Sequence, residues 1–491
     1  MKKIFIVVVA TLLSSPIFAQ EPDAVFKLLR QEWTVNADGT SDYHYRHEVQ
    51  ILRNRALTAY ADLGETFVVY NPDFEELTVN EVYTIRKDGS RVEMPQNAFV
   101  YQLPSQCADC GRFNHIRELA MVHTGMELGC IIVVDYTIHR HYDLVSCTLD
   151  LVQRHPIERL EVNISVPDGQ DLRVKLNDPK VIAFNPSIAQ TELSYRLKAN
   201  DVPQTYVDNY LPEKESLYPT LRFYNGTPEF VPAFDTKGLV EARSATGKAM
   251  TGDNEVENIV LLRNYVVDNI HLNDLNPAML GYKHATAAEV WQTGCGTATD
   301  KAVLLAAILN QWGYAARVIG EQSDEVGVVV DTLEYRLSVR NKTPMMLYGE
   351  AKDEVNKQNI KTTVNATLDT LEGGFFRLQL PSVPGGPNIS AARLALVRTA
   401  PVQSSACELK SDIVVKLPAG VKLVGGNVKQ SLRYDGVGSV EVSIKQSGKN
   451  LRVVRNMTLE KSVIEVGSYS AFRQLLTLWQ DYSDVLLRVK K

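Results

Sequence analysis

The chain has 491 residues, 45% hydrophobic and 22% charged, with a formal net charge of -6 at pH 7. That composition excludes wholesale disorder and a coiled-coil rod, and the length suits about three domains of ~100 to 200 residues each. A mild acidic excess without a basic run gives no electrostatic case for nucleic acid or for an anionic membrane surface.

Met1-Lys2-Lys3, the apolar run Ile4 to Leu13 and the small-residue stretch Ser14 to Ala19 predict a signal peptide over residues 1–19, cleaved after Ala19. The mature chain is then exported, periplasmic or secreted. The apolar run falls below the ~20 residues that cross a bilayer, so no membrane-spanning segment is expected in the mature chain. All six cysteines, Cys107, Cys110, Cys130, Cys147, Cys295 and Cys407, follow the cleavage site. An even number in an exported chain points to disulfides, with a connectivity the sequence leaves open. Cys107-Ala108-Asp109-Cys110 suits a local bridge. Adding His115 and His123 would give a zinc set, but their spacing fits no strong template, and neither metal nor other cofactor is expected.

From Glu32 to about Val166 the apolar period is two. Tyr43, Tyr45, His47, Val49 and Ile51 alternate with polar residues, as do Leu160, Val162, Ile164 and Val166, so half-buried antiparallel strands are predicted. Asp38-Gly39 and Asp88-Gly89 supply hairpin turns, since glycine reaches positive φ without steric cost. Gly129 to Val134 is apolar on both faces, as a central strand requires. His44 and His47, three apart, face opposite sides of their strand, whereas His139 and His141 share a face at an exposed strand end. Between Asn200 and Met250, Pro203, Pro212, Pro219, Pro228 and Pro232 predict a connecting segment with little regular structure.

The next segment is helical. Ile259, Leu262, Val266 and Ile270 recur at helical spacing, and Thr286 opens a short helix through Trp291. Thr297 with Asp300 forms a capping box, after which Leu304, Leu305, Ile308, Leu309 and Trp312 make an apolar face that Gly313 ends. Strands are expected at 314–319, 326–330 and 335–339.

Gly296-x-x-x-Asp300-Lys301-Ala302-x-Leu304-Leu305, followed by Gly313 to Val318, resembles the nucleophile segment of bacterial transglutaminase-like proteins. The family pattern is Gly-x-Cys-x-Asp-Lys-Ala, which sets Ala298 where the cysteine stands. The resemblance also implies a histidine on a later strand and an aspartate on the next, to deprotonate the thiol and orient the base. Here Glu334 to Val339 and Met346 to Gly349 occupy those stretches, and all nine histidines lie at or before His284. Cys295, three residues before Ala298, lies ahead of the helix cap and outside the field that lowers a thiol pKa.

The region before the core resembles the N-terminal β-sandwich domain of unknown function found in many exported proteins of this kind. The matching pieces are the turn at Asp38, Arg86 to Ser90, Gly125-x-Glu127-Leu128-Gly129 and Arg154-x-Pro156-Ile157-x-Arg159. From Lys361 onward strands return, at Phe375 to Leu380, Ile413 to Leu417, Val440 to Ile444 and Leu451 to Val454. Pro384 to Pro387 and Asp435-Gly436 mark turns, and a terminal helix near Ser468 carries Phe472, Leu475, Leu476 and Trp479. This region resembles the C-terminal β domain of the same proteins.

The fold expected is multidomain α+β: signal peptide 1–19, N-terminal antiparallel β-sandwich 20–215, central papain/transglutaminase-like α+β core 216–355, and C-terminal β domain with terminal helix 356–491. The function expected is an exported, non-catalytic transglutaminase-like module that binds or scaffolds a polypeptide or glycan partner. The alternative is an active thiol acyltransferase or protease using Cys295, with Glu334 or Asp300 as its acid partner. A carboxylate is poorly matched to a thiol of pKa ~8.5, and Asp300 is already committed to the cap.

Overall fold

The computed structural model describes residues 22–58, 63–226, 238–319, 326–333, 335–342, 344–346, 355–380, 383 and 386–489. The predicted signal peptide, Pro228, Pro232, Glu334, Leu347, Tyr348, Gly349, Pro384 and Gly385 lie outside the described residues.

The N-terminal part is layered. An eight-stranded sheet runs in the order Ser187–Gln190, Ser194–Val202, Ile157–Ser165, Ala24–Val35, Ser41–Ile51, Ile131–Arg140, Glu75–Ile85, Arg91–Glu93. Gly39 and Gly89, at φ 87° and 85°, turn the two predicted hairpins, and Ile131–Arg140 is interior as its two-sided apolar pattern demands. One pairing departs from the all-antiparallel expectation: Ala24–Val35 runs parallel to Ile157–Ser165, with Trp33 beside Ile164. Alternation records which face a residue takes, and it is silent on strand direction. Two three-stranded sheets pack against the large one. The first joins Arg173–Asn177, Thr220–Tyr224 and Ser146–Asp150; the second joins Phe67–Tyr70, Arg117–Met121 and Phe99–Gln102. Trp33 meets Phe223 edge-on across the layers, with ring centroids 4.9 Å apart, and Leu119 and Met121 enter the same core from the second small sheet.

The stretch read as a connector is therefore partly regular. Leu221 and Phe223, both fully buried, place Thr220–Tyr224 in the middle of a sheet, and Val240–Ala249 is helical. Pro219 borders the strand and does not interrupt it.

The outer face of the large sheet carries a charged network, and His44 sits in it, opposite the buried His47 as their spacing required. His44 bonds Asp135 at 2.8 Å and Glu32 at 2.9 Å, while Arg46 reaches Asp135 at 2.9 Å and Glu81 at 3.0 Å. The bond to Asp135 raises the imidazole pKa, against the effect of burial and helped by Glu32. Burial would raise Asp135, yet the bonds from His44, Asn80 and Arg46 outweigh it and hold the carboxyl down to about 2. A folded pKa above the unfolded value of about 6.5 means that charged His44 stabilises the fold fully below that pH and ceases to as pH rises through the folded value. The stability lost in His44→Ala should thus be larger at about pH 5.5 than at about pH 9, read from urea midpoints. An equal loss at both would show that the imidazole charge is not engaged.

In the central domain the helices Val240–Ala249, Glu255–Asn269, Ala287–Thr293 and Ala298–Gln311 pack beside a four-stranded antiparallel sheet, Ala316–Ile319, Gly327–Val330, Tyr335–Ser338 and Pro344–Met346. Ile259, Leu262 and Val266 are fully buried, and every residue from Ala298 to Leu309 is buried. The last helix is the centre of the domain.

The C-terminal part has a five-stranded sheet, Asn356–Asn365, Cys407–Lys416, Asn450–Leu459, Gly438–Ser447 and Val428–Tyr434, and a four-stranded sheet. Phe472, Leu475, Leu476 and Trp479 turn one face of the helix Tyr469–Asp481 into this core, as their spacing predicted. The chain continues past the helix into Asp484–Val489, which pairs with Phe375–Gln379 and Val421–Leu423 in the four-stranded sheet.

Candidate functional site

Two turns fix the start of the central helix. Gly294, at φ 66°, closes the preceding helix in a left-handed cap. Gly296 then passes so close to Asp300 that a Cβ on it would sit 2.7 Å from the aspartate Cβ, so glycine is required there. Thr297 caps the helix: its hydroxyl accepts the Asp300 N–H at 3.2 Å, and the Asp300 carboxylate accepts the Thr297 N–H at 2.9 Å. Ala298 is consequently the first helical residue, where amide N–H groups and the helix dipole would stabilise an anion. Its side chain is a methyl group.

Asp300 is fully buried and does more than cap. Its other oxygen accepts the Ala285 N–H at 2.6 Å, and Arg112 of the N-terminal domain donates at 3.1 Å to the oxygen that caps Thr297. Lys301, also buried, donates to the carbonyl of Ile270 at 2.7 Å, and burial pushes its ammonium pKa down to about 8. Both charged residues of the motif are thus engaged in holding the helix in place.

Cys295 is bonded to Cys110 across the boundary between the N-terminal and central domains. This corrects the expected local bridge between Cys107 and Cys110. Docking of the domains buries Cys107, Cys110, Phe113 and Ile116 with Leu275, Leu280 and Cys295 in one apolar cluster, which brings together two cysteines 185 residues apart. Cys107, Cys130, Cys147 and Cys407 are outside any disulfide. The set weighed for zinc is not assembled, because the Cys110 sulfur is in the disulfide and His115 turns to Asp73 at 3.7 Å. His139 and His141 face each other at 5.4 Å between ring centroids but bond Asp42 and Glu76 respectively.

The rest of the boundary is polar. Asn273 donates to the Gln106 carbonyl at 2.7 Å, Asn71 to the Met279 carbonyl at 2.6 Å and Tyr142 to the Ala278 carbonyl at 2.6 Å. The Ser146 N–H donates to the Tyr282 hydroxyl at 2.9 Å. Asn273 also ties the turn itself, its N–H donating to the Gly296 carbonyl at 2.9 Å. Sequence reasoning singled out Ala298, Cys295 and Asp300 but not Arg112, Asn273, Tyr142 or Tyr282. No local pattern marks these four, since each acts on a residue more than a hundred positions away.

Two histidines do come near the turn. His271 lies opposite Cys295 in a short parallel pairing, and His284 Nδ1 lies 3.1 Å from the Ala285 carbonyl, one residue from the Asp300 bond. His271 is exposed and His284 half-buried.

Comparison with known proteins accords with this layout. Residues 37–206 match the model of a domain of unknown function, DUF3857, residues 243–342 that of the transglutaminase-like superfamily, and residues 390–484 that of another domain of unknown function, DUF3858. The chain thus has a DUF3857, transglutaminase-like core, DUF3858 architecture. No curated protein matches it. A crystal structure of a "putative protease" from Parabacteroides distasonis is 24% identical with a TM-score of 0.76, covering 95% of this chain and 99% of that one. At this identity the likeness shows the fold alone. An M1 zinc metallopeptidase from Deinococcus radiodurans, at 9% identity over 60% of this chain and 64% of its own, has a TM-score of 0.18 and carries no argument.

Proposed function

We propose that this chain is an exported, non-catalytic protein of transglutaminase-like shape that holds a polypeptide or glycan partner. The observation that carries the reading is the start of the central helix, where Ala298 presents a methyl group at the position favourable to a thiolate. The neighbouring Cys295 has its sulfur in a bond to another domain, and no histidine follows His284 in the sequence. When nucleophile and base act as a unit, loss of either costs on the order of a million-fold in rate, while a fold without its chemistry can still serve binding. Export is supported by the residue 1–19 pattern and fits a chain that carries a disulfide.

The test is turnover. The purified mature chain, given a primary amine with a glutamine-bearing polypeptide, or an unmodified polypeptide alone, is expected to incorporate no amine and to release no peptide. Titration calorimetry with polypeptides and oligosaccharides then reads binding. Turnover abolished by iodoacetamide would sink the proposal and favour the thiol-enzyme alternative, the reading to which the protease description of the Parabacteroides structure lends support. That alternative needs Cys295 reduced.

Ala298→Cys separates position from machinery. A thiol on the first turn should have a pKa below the ordinary ~8.5 and take up iodoacetamide near neutral pH, located by peptide mapping. Amine incorporation should remain absent, because no base of the family kind accompanies it. Activity restored by this one change would mean that another group already serves as base.

A further inference from the structure

Three of the six cysteines meet at one place. Cys107, Cys110 and Cys295 are 0%, 1% and 1% exposed and belong to the same apolar cluster at the domain boundary. Cys110 and Cys295 share the disulfide, whereas Cys107 keeps its thiol. Cys107 ends a single 3-10 turn, Ser105–Cys107, and its carbonyl accepts the N–H of Cys110 at 3.2 Å. That bond closes a four-residue turn, Cys107 to Cys110, and the first and last residues of such a turn have Cα atoms less than about 7 Å apart, a span that overlaps what a disulfide accepts. Cys110 therefore has two partners within reach, one across the domain boundary and one in its own loop.

We propose that these three cysteines form a thiol–disulfide exchange switch that latches the N-terminal domain to the central helix and releases it. The Cys107 thiolate attacks the Cys110 sulfur. A Cys107–Cys110 bond forms as the Cys110–Cys295 bond breaks, the electron pair leaves on the Cys295 sulfur, and that sulfur takes up the proton Cys107 gave away. The number of disulfides is unchanged, and no oxidant or reductant is consumed. Two things differ afterwards. The covalent link between the domains is gone, leaving Arg112 and its loop held over Asp300 by non-covalent contacts, and Cys295 is a thiol three residues before Ala298. Burial, with the Glu118 charge adding to it, pushes the Cys107 thiol pKa up, so the latched form exchanges slowly and faster as pH rises. The switch is independent of whether the central domain is catalytic.

The experiment uses the full mature chain. It is held at about pH 8.5 without added thiol, quenched in acid, alkylated with N-ethylmaleimide and mapped by peptide mass without reduction. The native chain should give two bridged forms, Cys110–Cys295 with Cys107 alkylated and Cys107–Cys110 with Cys295 alkylated. In Cys107→Ser, alkylation of Cys295 should be lost. Cys295→Ser exposed to oxidised glutathione should acquire the Cys107–Cys110 bridge, which shows that the loop accommodates it. Two free thiols persisting in that variant would overturn the proposal. So would a native chain in which Cys295 is never alkylated while Cys110 stays bridged, or in which both become alkylated together.

Discussion

Asp300→Ala is expected to destabilise the central domain by about 3–5 kcal/mol, chiefly the cost of leaving two buried backbone donors unsatisfied, with the half-buried Arg112 losing its partner as well. The carboxylate is fully buried and accepts from the Thr297 N–H, the Ala285 N–H and Arg112. Its loss leaves two backbone donors and a guanidinium without an acceptor. The cap alone accounts for only ~1 kcal/mol, and the buried donors carry the remainder. Trp291 and Trp312 both lie in this domain and report its unfolding by fluorescence. Arg112→Met retains both backbone bonds and should cost clearly less. If Asp300→Ala shifted the urea midpoint by under ~1 kcal/mol, the carboxylate could not be the tie between turn, helix and neighbouring domain.

Cys295→Ser should cost about 2–4 kcal/mol, because the Cys110–Cys295 bond spans 185 residues and removes a long loop from the unfolded chain. Serine at this position forbids any link between the two domains. Cys110→Ser does not, since Cys107 lies in the same cluster and could take its place. Scanning calorimetry is the suitable measurement, as a chain of several domains need not unfold in one step. The transitions of the N-terminal and central domains should separate in the variant, and a reducing agent should reproduce that separation in the native chain. Superimposable traces for variant and native protein would mean that the non-covalent boundary alone couples them.

The Arg112 and Cys110 interactions link distant parts of the chain, and that distance marks what the sequence could disclose. The start of the central helix was legible because Thr297 and Asp300 are three residues apart and cap each other through bonds that any correctly formed turn provides. The same holds for the hairpins at Gly39 and Gly89 and the spacing of Phe472, Leu475, Leu476 and Trp479 on their helix. Thr220–Tyr224 is not legible in the sequence, because the strand is short, follows Pro219 directly, and shows its alternation only in Leu221 and Phe223.

The sequence by itself determined the identity of the residue at the head of the central helix, the lack of histidines after it, and the local elements around both, because these depend on neighbours within a turn or two. Tertiary structure alone decided that Cys110 bonds Cys295, that Arg112 meets Asp300 from 188 residues away, and that Ala24–Val35 lies parallel to Ile157–Ser165. Those partners are chosen by which buried surfaces fit together when domains and sheets pack, and periodicity along the chain carries no record of that choice.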